Sequence, residues 1–431
     1  MLSHLLKTII AATALTSIMG SAYAQTEITM WTFLDLNKTN PRSNALNKII
    51  DNFEEVNPGI KVKVETQPYA TMSQRFFLGH QQGRNPDLIW IDSKNVGGLM
   101  QSGAGLDLNE AFINGWSDAE RNDFYIKAGW NASLVDGKRY LVPLFHGGSI
   151  IYYRKDLFRE AGIDPASLNT WDALIAAGKA LKKDTNDDGI TDAWGLIQPL
   201  SGEKTEPVPA LTYMIEHIDP LFNEDCTANF ANNEGVTALK MNASMITESE
   251  ISSKESFAHT TNDAIELFAQ GRGAMAVASA LRYGVTAGQT QFDAKEMGLL
   301  KWPSETGAKP GPMLVQGWYI AVWKNSSHTA EAAKFAEHAI NADSVKLWST
   351  MGGQVPTRSS VFADAEFSEP SREYLKVLRD SWAENSYLYP PHCNSSIVQS
   401  AINGAIQAYV LGGTDAMTAL KNAERKHNDV Q

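Results

Sequence analysis

From Glu27 onward the alternation of apolar and polar positions predicts a strand, a helix and a second strand in turn. Ile28 and Met30 mark the first strand, with Phe33 near its end in the run Trp31-Thr32-Phe33-Leu34-Asp35. Leu46, Ile49, Ile50, Phe53 and Val56 then recur at helical spacing, and Asn57-Pro58-Gly59 stops that helix. Ile60, Val62 and Val64 alternate as a second strand. The run Pro86-Asp87-Leu88-Ile89-Trp90-Ile91-Asp92 is short and nearly all apolar, which suits a strand covered on both faces. Strands alternating with helices predict an α/β body with a largely parallel sheet. Ligands collect at the carboxyl ends of such strands, where Asp35 and Asp92 fall.

Residues 138–158 carry a different pattern. Tyr140, Val142 and Leu144 follow an Asp136-Gly137 turn as a strand, and Ile150 to Tyr153 form another. Between them Phe145-His146-Gly147-Gly148 reads on its own as an ordinary loop or as a joint between two bodies, since glycine reaches backbone angles closed to other residues, as a hinge requires. A second apolar run at 313–322 has Gly317 in its middle, the mark of a bend or a close backbone approach. Helices are predicted after Thr170, over 261–270, 329–341, 369–385 and from 395 to 411 or beyond, with a strand near 271–277. Residues 202–209 read as an exposed loop.

Length and charge narrow the picture. A chain of 431 residues exceeds one core, so two domains are expected. Residues 1–24 combine Lys7, an apolar run from Ile9 to Ile18 and the small-x-small site Ala22-Tyr23-Ala24, the pattern of a secretory signal peptide cleaved near Gln25. A net charge of −12 argues against nucleic acid as a partner. An exported chain can pair its two cysteines, Cys226 and Cys393, but the sequence leaves that pairing open.

Three kinds of chemistry are in view. Asp184, Asn186, Asp188, Ile190 (through its carbonyl) and Asp192, with Gly189 at the turn, follow the spacing of a calcium-binding loop. The twelfth position is Gly195, where the bidentate acid should stand. A polar turn at a helix end explains the same residues. No hydrolase, phosphate-loop or zinc signature occurs, although plentiful acids leave room for a sugar-cleaving carboxylate pair. Aromatics beside strand ends, among them Trp31, Trp318, Tyr283 and Tyr389, suit a binding cleft in which flat rings stack on sugar and polar groups satisfy hydroxyls. Trp90, inside a strand, is expected in the core.

Taken in order, several motifs resemble the sugar-type extracellular solute-binding proteins of ABC importers. They are Ile28-Thr29-Met30-Trp31, Phe53 to Val62, Asn85-Pro86-Asp87-Leu88-Ile89-Trp90, Gln101-Ser102-Gly103, Lys138 to Pro143, Ile151 to Phe158, Thr170-Trp171-Asp172, Gly273-Ala274-Met275 and Gly317 to Val322. The resemblance implies a type II periplasmic binding-protein fold: two α/β lobes, three crossings and a ligand cleft between them. One lobe would hold 25–145 and 318–360, the other 146–316 and 361–431. Ligand contacts carried over by position are Trp31 and Asp35; Asp92, Ser93 and Lys94; His146; Ser279, Arg282 and Tyr283; Gln316, Gly317 and Trp318; and Tyr389, His392 and Asn394. Leu36 departs from the polar contact of maltodextrin-binding members, which leaves sugar, polyol and uronate open. The implied protein is a periplasmic monomer, without catalysis or required cofactor, that delivers solute to a membrane permease. The competing readings are a secreted lyase or hydrolase and a metal-binding protein with calcium as its ligand.

Overall fold

The computed structural model describes residues 25–189, 191–202 and 208–431. The expected signal peptide, Ile190 and residues 203–207 lie outside them. Two sheets with separate apolar clusters make two lobes. Among the described residues no helix is long and apolar enough to cross a membrane.

In the first lobe Thr26–Thr32 lies between Ile60–Thr66 and Leu88–Asp92, parallel to both. Gln316–Val322 follows, antiparallel to Leu88–Asp92, and Val142–Gly147 closes the sheet antiparallel to it. The predicted helix runs over Pro41–Val56 and buries Leu46, Ile49, Ile50 and Phe53, the face marked by the apolar spacing. Val56 ends it 69 % exposed, so that last member of the stripe lies outside the core. Trp90 is fully buried against Phe145 and Trp348.

The second lobe's sheet runs Met297–Leu300, Ser149–Arg154, Gly273–Ser279, Trp194–Ile197, and only its last pair is parallel. Both sheets are therefore mixed rather than largely parallel. Local strand-helix-strand units yield parallel pairs, whereas strands entering from the other lobe arrive in the reverse sense.

The chain passes between the sheets at Gly148 and again at Val315, where the predicted strand over 313–322 breaks. Met313–Leu314 pairs with Ser386–Tyr387, and Gln316 onward joins the first lobe. Residues 146, 147, 316 and 317 thus sit in the first sheet, slightly beyond the expected boundaries. A third passage lies around Arg358, which bonds to the first lobe's Asp123 while Val355 before it and Val361 and Phe367 after it pack in the second cluster.

Glycine at the first crossing has a different reason from the one expected. Neither Gly147 nor Gly148 has a positive φ. A Cβ at Gly148 would stand 2.5 Å from the Leu314 carbonyl oxygen, and one at Gly147 2.6 Å from Leu281 Cδ1. At Gly147 a side chain would have to displace the tip of Leu281, whereas at Gly148 the space between adjacent crossings, not backbone freedom, excludes one. Gly317 needs both: its φ is 141°, and a Cβ would lie 2.3 Å from the Phe145 carbonyl oxygen.

Cys226 and Cys393 form a disulfide with their Cα atoms 5.3 Å apart. It fastens the loop after Tyr389 to the second lobe.

Candidate functional site

The crossings form the floor of a cleft of about 520 Å³, lined from one lobe by Phe33, Arg42, Tyr69, Asp92, Lys94 and Trp318 and from the other by Thr261, Asn262, Ser279, Leu281 and Arg282. Gly148, Gln316 and Gly317 complete it. Its volume lies in the range of small-molecule sites.

The first wall is aromatic. Trp318 is fixed by its ladder to Phe145 and Asp92 on neighbouring strands. Its ring lies 4.5 Å from Phe33, 5.7 Å from Tyr69 and 6.1 Å from Trp90, so the platform continues the core up to the surface. Phe33 follows the end of the first strand, and Tyr69 precedes the helix Met72–Gln81. The polar side of this wall is already organised. Asp92 accepts hydrogen bonds from the Tyr69 hydroxyl at 2.8 Å, the Lys94 backbone N–H at 3.2 Å and the Ser93 hydroxyl at 3.3 Å. Burial, helped by the Asp92 charge, pushes Tyr69 up to about 12, so its hydroxyl stays a donor.

The second wall is polar. Thr261 and Asn262 open the helix Thr261–Ala269, while Ser279 ends a central strand. Arg282 donates to Asn262 Oδ1 at 3.3 Å. Burial and the Arg282 charge together lower the Arg42 guanidinium below its ordinary value, which places the two arginines in each other's field.

Of the residues assigned to a ligand from sequence, Asp92, Lys94, Ser279, Arg282, Gln316, Gly317 and Trp318 converge on this cleft. Ser93 and Tyr389 line an adjoining hollow of about 70 Å³ that shares Lys94 and Gln316. That is well below the roughly 300 Å³ at which ligand sites begin. The rest are engaged elsewhere. Trp31 donates its indole N–H to Glu65, with Arg75 over its ring. Asp35 accepts from the Asn37 backbone N–H and shapes the turn before the first helix. Tyr283 stacks on Tyr374 at 4.4 Å and donates to the Met297 carbonyl. His392 is exposed, and its carbonyl accepts from Gln101. Asn394 ties down the chain end through Val430 and Gln431.

His146 lies beneath the floor. It is 1 % exposed, its ring centroid is 6.0 Å from that of Tyr319, and a Cβ on Gly129 would stand 2.2 Å from its Cε1. Burial lowers it to about 3, so it is neutral near pH 7. The joint was correctly placed between two bodies, but its histidine side chain faces the core.

The calcium-like loop turns inward on itself. Asp184 accepts from the backbone N–H groups of Asn186, Asp188 and Gly189, and Asp192 accepts from Thr185. Among the described residues the grouping with metal-ligand spacing is Cys226, His392 and Cys393, whose sulfurs are spent in the disulfide.

Phe33, Arg42, Tyr69, Thr261 and Asn262 were absent from the sequence assignment. Their signal was weak: Phe33 and Tyr69 stand in irregular segments, while Arg42, Thr261 and Asn262 sit in the first turns of helices whose starts face the cleft.

Comparison with known proteins agrees with this architecture. The family model described as bacterial extracellular solute-binding protein matches residues 38–346. The arabinooligosaccharide-binding protein of Bacillus subtilis is 22 % identical, over 86 % of this chain and 82 % of its own. The sn-glycerol-3-phosphate-binding periplasmic protein UgpB of Brucella abortus is 23 % identical, over 99 % and 98 % respectively. Maltose-bound MalE3 of T. maritima superposes with a TM-score of 0.76 at 20 % identity, covering 94 % of this chain and 100 % of its own. With two lobes, three crossings and a cleft between them, the chain belongs to the bacterial extracellular solute-binding protein family.

Proposed function

We propose that this chain captures a carbohydrate-class solute in the interlobe cleft and delivers it to the permease of an ABC importer. The observation that carries this reading is the composition of the cleft: a ring platform of Phe33, Tyr69 and Trp318 faces small polar groups on the opposite lobe. Rings cover the apolar face of a sugar, and hydroxyls are satisfied from the other side. The name of one relative, an arabinooligosaccharide-binding protein, supports the same class, while that of another, for sn-glycerol 3-phosphate, is of a polyol phosphate. A ligand touching both walls favours the closed arrangement, which is the state a permease reads.

Catalysis is not part of the proposal. Asp92 is the one acid among the residues lining the cleft, and Tyr69 and Lys94 already engage it. Glycoside cleavage needs two carboxylates across the bond. The family's description as extracellular supports an exported protein, with residues 1–24 as the proposed signal.

A thermal-shift screen over neutral and acidic mono- to tetrasaccharides and polyols tests the reading. A ligand at about 100 times its Kd stabilises the fold by about 2.7 kcal/mol. The expected result is a saturable rise in melting temperature with no change in the sugar. Release of reducing ends, or no shift with any compound, overturns it.

A further inference from the structure

We propose that the solute carries a carboxylate or phosphate, held between Arg42 of the first lobe and Arg282 of the second. This rests on the solute-binding reading above and specifies its ligand. Both arginines line the cleft, one from each wall. Among the described residues Arg42 has no ion-pair or hydrogen-bond partner; its guanidinium sits 5.5 Å from the centre of the Phe33 ring. Arg282 bonds to a neutral oxygen, that of Asn262. The acid on the cleft wall, Asp92, lies against Lys94 at 3.8 Å and accepts from Tyr69, so it does not balance the arginines. Three cations and one acid therefore face this space in a chain whose net charge is −12. The positive cleft is a local arrangement against the global charge.

Helix geometry adds to it. Pro41–Val56 and Thr261–Ala269 both begin at the cleft, one in each lobe, and the start of a helix carries partial positive charge. Asp263 caps the second helix and offsets part of that field, whereas the first turn of Pro41–Val56 contains no acid. Guanidinium presents a planar fork that matches carboxylate and phosphate oxygens two at a time.

The placement also couples charge to closure. Two like charges on opposite walls oppose the approach of the lobes, and a neutral sugar leaves that opposition in place. An anion between them converts it into attraction toward both lobes at once, the differential affinity that a population shift requires.

Titration calorimetry at low salt tests this with matched pairs: galacturonate, digalacturonate, glucose 6-phosphate and sorbitol 6-phosphate, each against its neutral parent. The expected result is that an anionic member binds about 10- to 100-fold more tightly than its parent, the range of charged hydrogen bonds. The carboxylate and phosphate arms identify which group is used. Arg42→Gln and Arg282→Gln should each erase most of that preference, read as the ratio of anion to parent affinity in the same variant, and Arg282→Lys should restore only part of it. Neutral parents binding as tightly as the anions, or a preference that survives in both glutamine variants, overturns the anion site alone. Binding of neither set overturns the carbohydrate reading and this inference with it.

Discussion

The two walls of the cleft are made differently. On the first lobe Trp318 and Phe33 are continuous with Trp90 and the buried core, and Trp318 itself is only 7 % exposed. On the second lobe Thr261, Asn262 and Arg282 stand at the beginnings of helical turns, while the core beneath them is built by Ile265 and Phe268. The first wall therefore asks the same side chains to hold the fold and to meet the solute. The second separates these tasks at Asn262 and Arg282, whose side chains can change without disturbing the packing below, whereas Thr261 is itself buried.

The largest effect that would sharpen this contrast is Trp318→Ala. Emptying a packed tryptophan site should cost about 3–5 kcal/mol of stability. It should also weaken solute binding by about 1–3 kcal/mol. Urea denaturation and calorimetry on the one variant measure both. Loss of affinity at unchanged stability would show that the platform is not part of the core.

Between the walls, His146 provides a second test. Its value of about 3 lies below the 6.5 of a free imidazole, so below pH 6.5 the unfolded chain binds a proton that the folded chain refuses. This contribution to stability is fully present above pH 6.5 and declines as the pH falls toward 3. Near pH 5 the loss is about 2 kcal/mol. The urea midpoint should fall further between neutral pH and pH 5 in the wild type than in His146→Gln. Equal pH slopes in the two proteins would mean that the imidazole is hydrated in the folded state.

The smallest effect belongs to the polar wall. Asn262→Ala should alter stability by no more than about 0.5 kcal/mol. Solute affinity should fall by about 1 kcal/mol, the worth of one hydrogen bond. A stability loss like that of Trp318→Ala would erase the distinction between the walls.

Much of the lobe architecture was legible along the chain because its signals are local. The stripe through Leu46 and Phe53, the apolar run ending at Asp92 and the two glycine-bearing crossings each report their own element. The site was legible where it coincided with those elements, as at Asp92, Gln316 and Trp318 on strand ends. It was not legible at Tyr69 or Phe33, which lie in segments without periodicity. Trp31 and His146 show the opposite failure. Both stand at strand positions next to the cleft, but the strand alternates its faces, and one side chain turns to Glu65 while the other turns to Tyr319.

By itself the sequence determined most of the secondary elements and the first two places where the chain passes between the bodies, because periodicity and glycine placement act over a few residues. Tertiary structure decided which side chains share the cleft and what charge they sum to. Arg42 and Arg282 belong to different lobes and to distant parts of the chain. Only the folding of both crossings onto one floor brings them within each other's field.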